Sequence, residues 1–68
     1  MRPFEARQYE IQHTLEMIGR MNASIARHKA QEEPDQLAIE QYQAVKKNLV
    51  SQLLELLSEM DIHVLEAA

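Results

Sequence analysis

The chain has one strong interior break. Glu32-Glu33-Pro34-Asp35 joins an acidic cluster to a proline, which disfavours helical geometry at the residue before it and suits the first turn of a new helix. On both sides of that break the apolar residues keep helical spacing. Before it, Phe4, Ile11, Ile18 and Ile25 recur every seven residues, with Leu15 and Asn22 filling alternate steps of four and three. After it, Ile39, Tyr42, Val45, Leu49, Leu53, Leu56, Met60 and Val64 follow the same rhythm. The pattern predicts a single all-α domain over residues 1–68, with a helix over about 3–31, a turn over about 32–35 and a second helix over about 36–62. Pro3 suits the first turn of the first helix. The tail over 61–68 has no clear assignment, because Asp61-Ile62-His63-Val64 mixes a cap-like aspartate with β-branched residues, and Ile62 and Leu65 fall outside the main stripe.

Two long helices joined by a short turn pack as an antiparallel hairpin, in which residues whose numbers sum to roughly 66 lie side by side. By that rule Gly19, Ala23, Ala26 and Ala30 form a small-residue strip against Ile39 and Tyr42, with Gly19 permitting close approach. Asn22 and Lys46 both fall on apolar faces about one turn apart, and together predict a polar layer that fixes register. For Lys46 the alternatives are a stem that snorkels to solvent or an ammonium that holds an acidic ligand.

The second helix has more apolar surface than one neighbour covers. Leu49, Val50, Leu53, Leu54, Leu56, Leu57 and Met60 crowd into a dozen residues, and the arc from Val45 and Leu56 to Leu54 spans about half the helix circumference. Fully burying each extra leucine or valine is worth about 1.5–3 kcal/mol, a large share of the stability of so short a chain. These residues are therefore the expected oligomer interface, and a homodimer forming a four-helix bundle is the simplest closed assembly. One edge of the arc is expected to pack within the hairpin against Ile11, Leu15 and Ile18. The other, around Val50, Leu54 and Leu57, is the surplus.

Composition narrows the remaining options. A core drawn from 68 residues is marginal without staples, and the absence of cysteine excludes disulfides and thiolate metal sites. The net charge of −4 disfavours generic attraction to DNA or anionic membranes. No apolar signal segment follows Met1-Arg2-Pro3, and Ser51, Gln52, Glu55, Ser58 and Glu59 interrupt the richest apolar stretch, so a cytoplasmic protein with no membrane partner is expected.

Candidate chemistry is sparse. Glu10 and His13 have the Glu-x-x-His spacing of di-iron carboxylate bundles, and Glu59 with His63 makes a second pair four apart. Glu10 and His13 project away from the predicted seam, however, and no core-side glutamates complete a cage, so no metal and no cofactor are expected. Ser24, Ser51 and Ser58 have no activating histidine with a third orienting group, and the chain's one glycine cannot build a phosphate-binding loop. No enzyme is expected. Charge is unevenly distributed, at +2 over residues 1–31 and −6 over 32–68. Arg2, His13, Arg20 and Arg27, with Tyr9 among them, share the outer face of the first helix, and Arg20 and Arg27 would be the contacts of an RNA or DNA accessory protein. Glu16 interrupts that stripe and pairs with Arg20 in the alternative of a solvated face.

The reading favoured by these features is a small protein–protein interaction or scaffold module acting through homo-oligomerisation. A larger protein could also add a helix to the bundle against Met17, Met21 and Met60. Nucleic-acid binding through Arg20 and Arg27 is the alternative, and a metal-binding bundle using Glu10 and His13 the third.

Overall fold

The computed structural model describes residues 3–64, and side chains from Glu5 onward. Arg2, the Phe4 side chain and Leu65, each assigned a place above, lie outside the described residues. Helix α1 runs from Pro3 to Lys29 and helix α2 from Gln36 to Glu59, and the two pack against each other as an antiparallel hairpin. Among the described residues there is no strand.

The helix ends explain the shift from the predicted boundaries. Glu5 in the first turn of α1 and Arg27, His28 and Lys29 in its last turn complement the helix dipole, and the chain leaves the helix after Lys29. Pro34 precedes α2, which begins at Gln36. Asp35 is the N-cap, its carboxylate accepting from the Ala38 N–H at 3.1 Å while its own carbonyl accepts from Ile39 at 3.0 Å. At the far end Asp61 takes a left-handed φ of 60° and ends α2 before the expected residue 62. The Ile62 N–H reaches the Leu57 carbonyl at 2.9 Å and the Asp61 N–H reaches Ser58 at 3.0 Å, the paired bonds of a Schellman C-cap. Aspartate visits this conformation more readily than most residues, so Asp61 stops a helix rather than starting one.

Two contacts mark the register, one at each end of the hairpin. Arg7 Nε donates to Glu59 at 2.7 Å near the open end, and the rings of His28 and Tyr42 lie 5.2 Å apart near the turn. Arg7 also contacts Glu10 at 3.1 Å. These pairs place the seam of α2 along Ile39, Tyr42, Lys46, Leu49, Leu53, Leu56 and Met60, all buried or half-buried.

The seam of α1 differs from the one predicted. Ile11, Ile18 and Ile25 border it as expected, but the row beside them is Arg7, Thr14, Met21 and His28 rather than Leu15 and Asn22. Thr14 is 2% exposed, whereas Leu15 is 52% exposed. Polar groups enter the seam at little cost because each finds a partner. The Thr14 hydroxyl donates to the Glu10 carbonyl at 2.8 Å, and Arg27 donates to the hydroxyl of buried Ser24 at 3.2 Å. His28 Nδ1 lies 2.7 Å from the Ser24 carbonyl, an acceptor only, so this nitrogen carries the hydrogen. Met17 and Met21 supply flexible apolar filling. The rotation carries Gly19, Ala23, Ala26 and Ala30 to the exposed surface, with nothing within 4 Å of where a Gly19 Cβ would sit. The close approach of Tyr42 to Gly19 is therefore not made.

Candidate interaction face

The two helices form a single layer. With only α1 and α2 in the described residues, each helix has the other as its sole packing neighbour, and neither face of the pair is covered by a third element. Apolar burial is correspondingly thin. Among the described residues, the buried hydrophobic side chains are Ile25, Ile39 and Leu56. The predicted interface residues divide around that core: Leu56 is buried, while Leu49, Val50, Leu53, Leu54, Leu57 and Met60 remain half-buried.

Helical geometry places the surplus of both helices on one side. At about 100° per residue, Leu15 and Asn22 flank the Ile11–Ile18–Ile25 row on the side away from Thr14. Val50, Leu54 and Leu57 flank the α2 seam in the same rotational sense. In an antiparallel pair, equivalent flanks of the two helices face the same way, as like-lettered flanking positions do in antiparallel coiled coils. Ile11, Leu15 and Ile18 therefore share one broad face with Val50, Leu54 and Leu57. Two open depressions mark it. One, of about 610 Å³, is lined by Glu5, Gln8, Tyr9, Ile11, Gln12 and Leu15. The other, of about 440 Å³, is lined by Gln43, Lys46, Lys47, Val50 and Ser51. Neither encloses a site for chemistry, and each is a gap between side chains that a neighbouring helix could fill.

The predicted polar layer does not form within the hairpin, because Asn22 is exposed while Lys46 is half-buried along the seam. Asn22 instead lies on the open face, in the row of Leu15. On α1 the polar seam residues are Arg7, Thr14, Ser24 and His28. Sequence reasoning passed over them because hydropathy does not mark them, although Arg7, Thr14, Met21 and His28 recur every seven residues beside the isoleucine row.

The other candidates lie elsewhere. Arg20 and Arg27 are exposed on the outer face of α1, Arg20 against the Met17 sulfur at 3.9 Å and Arg27 on Ser24. Tyr9 and His13 stack there with centroids 6.4 Å apart and rings within 3° of parallel. Glu10 and His13 are both exposed, and the Glu10 carboxylate is engaged by Arg7. Glu59 is held by Arg7, and His63 lies beyond the end of α2, so the spacing that would have aligned them on one helix face does not apply. Among the described residues no three His, Cys, Asp or Glu side chains gather as a metal site, and no helix is long and apolar enough to cross a membrane. The chain matches no family model, no curated protein and no solved structure.

Proposed function

We propose that this protein is a small interaction or scaffold module without enzymatic activity, which works by pairing with a second copy of itself through the open face. Two single-layer hairpins then close into a four-helix bundle. The observation that carries this reading is surface area. The chain exposes 5568 Å², whereas a folded monomer of 7.9 kDa is expected to expose about 4,400 Å². The excess of about 1,200 Å² exceeds the roughly 800 Å² that each partner contributes to a standard interface. A layer one helix thick also lacks the second layer against which domains ordinarily bury their apolar faces.

Sedimentation equilibrium across a concentration series tests the proposal. The expected result is a species of twice the chain mass that shifts toward monomer in Leu54→Asp. A native chain that stays folded and monomeric at all concentrations overturns it.

A further inference from the structure

We infer that the two hairpins stack with their turns at the same end, so that α1 of one copy lies over α2 of the other. This rests on the self-association proposed above and concerns its geometry. The reason lies in how apolar groups are distributed along the open face. Arg7 opposite Glu59 and His28 beside Tyr42 set the level of every residue across the hairpin. Ile11, Leu15 and Ile18 consequently lie level with the stretch from Val50 to Leu57, in the half of the hairpin away from the turn. The half next to the turn carries Asn22, Ala26 and Lys29 on α1 and Glu40, Gln43 and Lys47 on α2, all exposed. The large apolar groups of the open face are thus gathered at the end away from the turn, with Gln8 and Gln12 among them, while the end next to the turn carries mainly polar side chains.

A twofold axis across the face offers two closed arrangements. An axis perpendicular to the helices puts the turns at opposite ends and sets α1 on α1, which lays the apolar half of each copy over the polar half of the other. Leu54 and Leu57 would then meet Glu40 and Gln43. An axis along the helices puts the turns together and sets apolar half on apolar half, with Leu15 of one copy over Val50 and Leu54 of its partner. Helix direction does not separate the two, because both give each helix the antiparallel neighbours of a short-looped bundle. Charge does not separate them either, because Lys29 can find an acidic group both ways, Glu40 with the turns together and Glu5 with the turns apart. A surface ion pair is in any case worth far less than burying a leucine, so the apolar match decides.

The chain has no cysteine, and Glu33 is exposed in the turn, so Glu33→Cys carries one spin label per copy with little disturbance to the hairpin. Double electron–electron resonance on that labelled protein then reads the separation of the two turns. Stacking with turns together gives a distance below about 30 Å, whereas turns apart give at least about 36 Å, the length of a 24-residue helix at 1.5 Å per residue. Glu5→Cys at the opposite end should give a comparably short distance. Long distances from both labels, with dipolar coupling present, overturn the stacking while leaving the dimer intact; no dipolar coupling at all overturns the dimer and the stacking with it.

Discussion

Thr14 and Leu15 are neighbours on α1 with opposite fates. The threonine lies in the hairpin seam and the leucine on the open face, the reverse of what their hydropathies favour. Each belongs to a row: Arg7, Thr14, Met21 and His28 inside, Gln8, Leu15, Asn22 and Lys29 outside. The isoleucines at 11, 18 and 25 lie between the rows and can form a heptad seam with either. The inner row wins inside the hairpin because its polar groups are satisfied within α1 itself, while Arg7 and His28 gain partners on α2. A polar residue that carries its own hydrogen-bond partner can occupy a core position at little cost, and it frees a leucine for another surface.

Truncating one leucine from each side puts that contrast under the most severe test. Leu56→Ala removes a buried side chain from the seam and should cost about 2–5 kcal/mol, enough to unfold much of a small hairpin in thermal denaturation followed by circular dichroism. Leu15→Ala should leave the helicity of dilute protein nearly unchanged but weaken self-association, so that Tm loses its dependence on protein concentration. Equal losses of helicity in the two variants at low concentration would mean that the outer row is also part of the single-chain core.

A smaller effect is expected at the turn, which sets the start of α2 and with it the register against α1. Asp35→Ala removes the carboxylate that accepts from Ala38, and a lost N-cap costs about 1 kcal/mol. The measurement is the shift in urea midpoint at constant m-value, and Asp35→Asn should recover most of it because the amide oxygen can still accept. A loss in Asp35→Asn as large as in Asp35→Ala would assign the effect to charge rather than to the cap.

The division between what the sequence showed and what it hid follows from the same rows. The break at Pro34, the start at Pro3 and the antiparallel pairing of two long helices were legible, because proline geometry and seven-residue spacing are strong local signals. The rotation of α1 was not. It depends on which row α2 contacts, and each row offers one large apolar side chain, Leu15 or Met21, so hydropathy does not choose between them. The end of α2 was hidden for another reason: a Schellman cap usually announces itself with glycine, and here aspartate occupies the left-handed position. The half-circumference apolar arc on α2 was legible as a surplus, but its junction with Leu15 into one face emerges only once α1 has its true rotation.

The finest test bears on Thr14 alone. Its hydroxyl donates to the Glu10 carbonyl, which already accepts the ordinary helical bond from the Thr14 N–H, so removing the hydroxyl leaves no buried acceptor without a partner. Thr14→Val keeps the shape and replaces the hydroxyl with a methyl against α2. Valine is stiff in a helix but has one well-populated rotamer there, so the backbone cost is small. The expected change in unfolding free energy is within about 1 kcal/mol of zero, measured by urea denaturation of dilute protein. If Thr14→Val instead destabilises by more than that, the hydroxyl must hold something beyond its own helix, and the idea that self-satisfaction admits Thr14 to the seam fails. If Thr14→Val is tolerated while Thr14→Asp unfolds the chain, the inner row is a true packing surface, and the exposure of Leu15 has to be explained by the face that it leaves for a second copy.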